Sequence, residues 1–348
     1  MNIYDYGGVI HLHSTLSDGN AAPEEIIKWG QDTGLDYIIL TDHDTLAARD
    51  AGYEGWHDRL LLLVGYEIAP TKNHYLALGT KEVVGSDAQP QQFIDAVKAA
   101  GGLGIIAHPD HRGVAQFGLP SFAWLDWDSR GYDAMGIWDL MSDWQHRARN
   151  KMVAAYNLLF PPRCLLGPEP ATLERWDKLN LVRETVLPGI GECDNHGLPV
   201  RLLGAKTAIL PYKAAMRLVR TRLQLTEELK CDVAEAYSQV LAAIRHGNCY
   251  IAQEWWLCAR GFQFFMTRAE EDILPAAVVE DWQGAEFRIS CSYKANIRLL
   301  RNGEVATEVR GKKLKHRPTK PGVWRAEVYA LMGGKMRPWI FSNPILLK

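Results

Sequence analysis

Cysteine is scarce and unpatterned in this chain of 348 residues: Cys164, Cys193, Cys231, Cys249, Cys258 and Cys291 are scattered with no C-x-x-C pair among them. That spacing argues against thiolate zinc sites and disulfide frameworks, and the thiols read as small buried apolar residues. Also missing is any apolar run near the roughly 18 residues that a membrane span requires. The opening MNIYDYGG has neither the basic start nor the apolar stretch of a secretory signal, so a reducing cytoplasm is the expected location. No sign of charge dominates: 39 Lys and Arg stand against 41 Asp and Glu, a formal net charge of -2. A chain so balanced has no overall pull toward nucleic acid or anionic membranes. Internal repeats and low-complexity tracts are absent as well.

What is present is an ordinary globular composition, 47% hydrophobic and 23% charged, in a chain long enough for one large unit and one small one. Up to about residue 200, short β-rich apolar runs alternate with helix-like segments. VIHLH is followed by a helix start at Pro23, Glu24 and Glu25 and a glycine stop at Gly34. Strands are then expected at DYIILTDHD, LLLLVGYEI, HYLALG, GLGIIAHP and AMGIWDL, with a helix from about Pro90 to Ala100 and a long helical stretch through HRARNKMVAAYNLLF. Alternation of this kind predicts a parallel sheet, open or closed into a barrel. After about residue 255 the texture changes to period-two alternation. A helix around Val233 to Arg245, ended by Gly247, leads into it, and Asn302-Gly303 marks a type I′ hairpin. The last ninety or so residues therefore read as a compact antiparallel β unit, with the division at 1–255 and 256–348.

The chemistry lies where the apolar runs end. VIHLH exits into His11, His13 and Asp18, YIILTDHD into His43 and LLLLVGYEI into Glu67. HYLALG opens on His74, GLGIIAHP exits into His108, and GIGECDNH exits into Asp194 and His196. In an extended strand, His11 and His13 at i and i+2 face the same side. Strand ends of parallel β/α folds converge on one face, so these nine side chains are expected to meet there. One strand-end imidazole is ordinarily structural; nine oxygen and nitrogen donors at one topological place point to a multinuclear metal centre. Imidazole and carboxylate without sulfur suit zinc, iron or manganese and single out none of them.

The ordered set H-x-H-x-x-x-x-D-G (His11, His13, Asp18, Gly19), T-D-H-D (Thr41 to Asp44), Glu67, His74, A-H-P (Ala107 to Pro109) and D-x-H (Asp194 to His196) resembles the polymerase and histidinol phosphatase superfamily, PHP, over roughly residues 8–200. The tail, with GVWRAEVYA and RPWIFSNPILL, resembles the carbaryl-hydrolase-like branch of that superfamily. The resemblance implies an α/β fold, a distorted (β/α)7 barrel followed by a small C-terminal antiparallel, sandwich-like β domain. It implies two or three divalent ions, Zn, Fe or Mn. His11, His13, Glu67 and Asp194 would hold one; Glu67, His74 and His108 a second, with Glu67 as bridge; Asp18, His43 and His196 a third.

Asp42 or Asp44 is expected to orient a ligand histidine by accepting its second N–H, or else to be a solvated turn carboxylate. In AHPDHRG, His111 is a candidate proton donor to a leaving group and Arg112 a candidate clamp for phosphate or carboxylate; each could equally be an ordinary loop residue. The expected activity is metal-dependent hydrolysis of small-molecule phosphate esters by a hydroxide held between ions. The alternative is a carbamate or carboxylic ester hydrolase, suggested by the tail and by Trp124, Trp127, Trp138 and Trp144, which otherwise read as core. A third reading makes the basic run RGKKLKHRPTK, residues 310–320, a grip for nucleic acid. That run has no interleaved aromatic, and a solvated hairpin explains it better, so a small-molecule ester or phosphoester is the expected partner. The residues leave the oligomeric state undetermined.

Overall fold

The structure, a computed structural model, describes residues 3–115, 118–202 and 204–348. It begins with β1 (Tyr4–Leu12), α1 (Pro23–Asp32), β2 (Tyr37–Leu40), α2 (Ala47–Asp50), β3 (Gly55–His57) and β4 (Leu60–Ile68). Strands β1, β2 and β4 lie parallel in that order, with Val9 opposite Ile38 and Ile39 opposite Leu63. Helix α1 starts with Pro23 in its first turn and Glu24 and Glu25 at its positive end, and it buries Ile26 and Ile27. All nine residues of β4 are buried, as a continuous apolar run covered on both faces must be.

Next come β5 (Tyr75–Leu78), α3 (Pro90–Ala99), β6 (Leu103–Ile106) and β7 (Ala134–Asp139). Here the all-parallel expectation fails: β5 pairs antiparallel with both β4 and β6. Only residues 69–74 separate β4 from β5, and a parallel crossover needs about a dozen or more. The reversal has a consequence for the site. His74 precedes its strand, yet it emerges at the end where the parallel strands finish.

Helices α4 (Leu140–Arg147), α5 (Lys151–Leu159), α6 (Pro161–Cys164) and α7 (Pro170–Val182) lead to β8 (Gly189–Glu192), which continues the parallel ladder from β6 and β7. The single long helix expected through residues 146–160 is two, because the Asn150 side chain accepts the Val153 N–H and starts a new helix. Beyond β8 the chain returns to β1. The Cys193 N–H donates to the Ile10 carbonyl at 3.0 Å, and the His13 N–H to the Asn195 carbonyl at 3.1 Å. A hairpin of β9 (Pro199–Leu202) and β10 (Ala205–Ala208) follows, then α8 (Tyr212–Ala215), β11 (Val219–Leu225), α9 (Val233–Arg245) and β12 (Cys249–Gln253). Strand β11 pairs antiparallel with β1 and β12 with β11.

The C-terminal part comprises β13 (Gln263–Arg268), β14 (Glu271–Ile273), β15 (Val278–Val279), β16 (Glu286–Arg301), β17 (Glu304–His316), β18 (Gly322–Met332), β19 (Lys335–Ser342) and β20 (Ile345–Leu347). Its pairs are antiparallel except β15 with β20. The β16–β17 turn has Asn302 at φ 53° and Gly303 at φ 84°, the left-handed pair that a type I′ hairpin requires. This part has its own core around Phe287, Ile297, Trp324 and Trp339, while the sheet runs on into it through β12 and β19, Ile251 facing Phe341. The basic run lies along β17, a strand paired among the described residues with β16 alone. Lys315 and Arg317 sit near Glu286 at 3.7 and 4.0 Å, and such charges keep an exposed edge from pairing with another chain.

A buried ion pair pins α7 to the C-terminal sheet. Arg325 on β18 bonds both oxygens of Asp177 at 2.8 and 2.9 Å, and its remaining arm reaches Glu327. Arg325→Ala would leave the Asp177 carboxylate buried without its partner. Chemical denaturation should show a loss of about 3–5 kcal/mol; an unchanged midpoint would mean the pair holds nothing together.

Candidate metal centre

His11 does not sit in a regular strand. Its φ is 72°, and the pairing of β1 with β2 shifts register between Ile10 and Leu12. This bulge, rather than simple alternation, brings the His11 and His13 rings to 5.1 Å. His108 at φ 25° and Asp194 at φ 44° also occupy the left-handed region without being glycine. Backbone strain of this kind persists where surrounding structure over-determines it, commonly at functional sites.

The nine nominated residues come together, five of them around one carboxylate, Glu67. Glu67 Oε1 is 2.8 Å from His74 Nδ1 and 3.2 Å from His108 Nε2. Its other oxygen, Oε2, is 3.1 Å from His11 Nε2, 3.3 Å from His13 Nε2 and 3.2 Å from His43 Nδ1. Asp194 Oδ1 stands 3.6 Å from the same nitrogens of His11 and His13, and from His196 Nδ1. Asp18 faces His196 Nε2 at 3.3 Å and His43 Nε2 at 3.5 Å. The donors form three overlapping groups: His11, His13, Glu67 and Asp194; Glu67, His74 and His108; and His13, Asp18, His43 and His196. His13 faces two groups with its two nitrogens, whereas a neutral imidazole has one lone pair to give.

The residues fit divalent cations. His11 Nε2, both His13 nitrogens, His43 Nδ1 and Glu67 Oε2 are buried without an aligned hydrogen-bond partner among the described residues, despite the short separations. Buried polar atoms left so are costly, and a cation between them would satisfy several at once. The set is nitrogen and oxygen only, as expected for zinc, iron or manganese.

Charge is arranged to suit. Burial favours the neutral form of Glu67, but the surrounding imidazoles, His11 first, hold its carboxyl well below the usual range. For His43, burial opposes protonation, while the hydrogen bond to Asp18 and the charge of Glu67 outweigh it and raise the ring to about 9. Burial brings His108 down to about 4.

Glu192, in GIGECDNH, is the residue the sequence reading passed over. Its Oε2 lies 3.0 Å from His11 Nδ1, and its Oε1 accepts the His108 backbone N–H at 2.6 Å. It fixes the tautomer that leaves His11 Nε2 free to ligate. A carboxylate at the end of a buried apolar strand was the available signal. Gly136 makes room for it, since a Cβ there would fall 1.7 Å from Glu192 Oε1.

The orienting role expected of Asp42 is not what the structure shows. Asp42 accepts the Ser14 N–H, the Ser14 hydroxyl and the Ser17 hydroxyl at 2.7 to 2.8 Å, so it braces the turn that carries Asp18 and touches no imidazole. His111 is buried beside the site, with its ring 5.2 Å from that of His108. Its Nδ1 accepts the Phe122 N–H, and burial lowers its pKa. With Nδ1 accepting that N–H, the ring presents its Nε2–H as a hydrogen-bond donor beside the site. Arg112 is exposed on the rim and paired with Glu169 at 3.3 Å, not directed at the nine. Trp124, Trp138 and Trp144 are buried core and Trp127 is half-buried under Arg175, which removes the aromatic platform that favoured the carboxylic ester alternative. Cys193 is buried, with its thiol toward the Val219 carbonyl. Asp139 caps α4 by accepting the Met141 and Ser142 N–H groups.

No known family pattern matches the chain. It is 24% identical over 119 residues to an uncharacterized protein of Methanocaldococcus jannaschii, covering 29% of this chain and 66% of that one. It is 31% identical over 80 residues to a phosphoribosyl 1,2-cyclic phosphate 1,2-diphosphodiesterase of Eggerthella lenta, covering 21% of this chain and 30% of that one. The chain thus spans a little under two thirds of the first relative and under a third of the second. Among solved structures, a two-domain protein from Bacteroides vulgatus containing a predicted PHP-like metal-dependent phosphoesterase aligns over 98% of this chain and 95% of that one, with 14% identity and a TM-score of 0.45. Among the described residues, no helix is long and apolar enough to cross a membrane.

Metal uptake should release protons. A ligating His43 must be neutral, whereas in the metal-free protein it carries a proton up to about pH 9. Affinity should therefore rise with pH toward 9, and calorimetry in buffers of different ionisation heat should register at least about one proton released; uptake without release would contradict this charge arrangement. Glu192→Gln should weaken metal binding about 10- to 100-fold in a chelator competition, and unaltered affinity would mean Glu192 orients nothing.

Proposed function

We propose that this chain is a metal-dependent phosphoesterase acting on small-molecule phosphate esters. The observation that carries the reading is Glu67, a buried carboxylate whose two oxygens face two different sets of imidazoles, as a ligand bridging two cations would. Two or three divalent ions, Zn, Fe or Mn, belong to this cup. His11, His13, Glu67 and Asp194 hold one, Glu67, His74 and His108 another, and Asp18, His43 and His196 the third. When bound, such ions supply Lewis acidity toward the ester oxygen and acidify water at neutral pH.

The chain's own residues do the rest. Glu67 sets the spacing of the two inner positions, Glu192 holds His11 in its ligating tautomer, and Asp42 braces the turn that presents Asp18. His111 offers an uncharged N–H beside His108, suited to holding a substrate oxygen. No serine or cysteine nucleophile is called for. The phosphate ester as substrate draws support from the likeness, over part of the chain, to a protein named as a cyclic phosphate phosphodiesterase. The architecture we assign is a distorted (β/α)7 barrel, residues 1–255, with a β-sandwich-like domain, 256–348, of the carbaryl-hydrolase-like branch.

Purified protein should release nitrophenol from nitrophenyl phosphate or bis-nitrophenyl phosphate but not from nitrophenyl acetate, and a chelator should abolish turnover. Glu67→Gln should lower both metal occupancy and rate by at least about a hundredfold. Turnover of the acetate alone, or turnover indifferent to chelator and to Glu67, would overturn the reading.

A further inference from the structure

We propose that a cleft at the opposite ends of the strands binds a small phosphate monoester, at a site separate from the metal centre. The cleft holds about 580 Å³, within the range of small-molecule sites. It lies where residues 131–133, 183–186 and 245–248 enter β7, β8 and β12. The nine donors gather where those strands leave, a strand's length away. Residues 274–278 of the C-terminal part close its other side.

Its charge is lopsided. Lys98, Arg183, Arg245 and His246 line it against a single carboxylate, Asp133. That carboxylate is already engaged: Oδ2 accepts the Gly104 N–H at 2.9 Å, and Oδ1 lies 3.4 Å from Arg245 Nε. Three permanent cations and one anion leave two positive charges here, in a chain whose formal net charge is -2. The C-terminal ends of α3, α7 and α9 offset part of this, each with about half a negative charge, and Arg245 Nη2 gives one bond to the Gly102 carbonyl at 2.8 Å. Yet the Lys98 ammonium and the His246 ring have no partner among the described residues. Arg183 is held with its guanidinium over Tyr132, 5.1 Å from the ring centre, so one fork is set in place before any ligand arrives.

The opposite wall is apolar. Val186 packs there with Ala276 and Val278, and Leu274 and Pro275 extend the surface. A dianionic head among the cations with a small organic group against this wall satisfies both halves. The inference does not rest on the metal centre.

The test is calorimetric titration of the full chain, treated with chelator, with inorganic phosphate and with phenyl phosphate. One molar equivalent should bind, phenyl phosphate more tightly than phosphate, and Glu67→Gln should bind equally well. Lys98→Ala with Arg183→Ala should weaken binding by at least about tenfold. Lys98→Glu alone, at an exposed position that folding does not depend on, should weaken it too, and added salt should do the same. Absence of binding to the chelated protein, or binding unaffected by these substitutions, would overturn the proposal. Binding lost on chelation or in Glu67→Gln would assign the phosphate to the metal centre instead. Should Glu67 and chelator prove irrelevant to turnover while this binding persists, the phosphoesterase reading falls and the cleft stands.

Discussion

A single buried carboxylate, Glu67, organises the end of this molecule where the parallel strands finish. Five imidazoles lie within 3.3 Å of its two oxygens, and they come from four separate segments of the first 110 residues. Holding one negative charge in so dry a place costs several kcal/mol unless positive charge or a cation answers it, so the rings and the carboxylate have to be positioned together. Much of the local backbone follows from that demand. The bulge at His11, the left-handed turns at His108 and Asp194, and the reversal of β5 each deliver a side chain that a regular parallel sheet would send elsewhere.

The surrounding shell shows the same economy. Glu192 serves two of the histidines at once, one through its ring and one through its backbone, and it fits because position 136 lacks a side chain. Asp42 does for the loop at residues 14–17 what Glu192 does for the rings: it fixes a segment so that Asp18 meets His43 and His196. Behind this end of the strands lies a packed apolar core. The far ends open on a cleft lined by Lys98, Arg183, Arg245 and His246.

Most of the cup was legible in the sequence, because eight of its nine side chains sit where an apolar run ends and the ninth, His74, where one opens, and that placement survives ignorance of how the strands pair. Pairing itself was less accessible. The alternation of strand and helix suggested a wholly parallel sheet, and only the six-residue link before β5 shows why it could not be. His11 and His13 were matched for the wrong reason, since alternation along a strand gives way to a bulge that no local composition signals. Glu192 was hidden by its neighbours: in GIGECDNH the Asp and His drew the chemistry, and a carboxylate two residues earlier looked like part of the strand. Asp42 was misjudged because flanking a ligand in sequence says nothing about which way a loop turns. The Asn302-Gly303 hairpin and the helix ending at Gly247, by contrast, are set by residues that few other conformations suit, and they stand where expected.

The account turns on whether Glu67 lies between cations. Crystals of the protein loaded with manganese, iron or zinc, measured at the matching absorption edge, would decide it directly. Anomalous peaks on both sides of the Glu67 carboxylate, one toward His74 and His108 and another toward His11 and His13, are the predicted result; no peak in the cup, or one bound only elsewhere on the molecule, would contradict it.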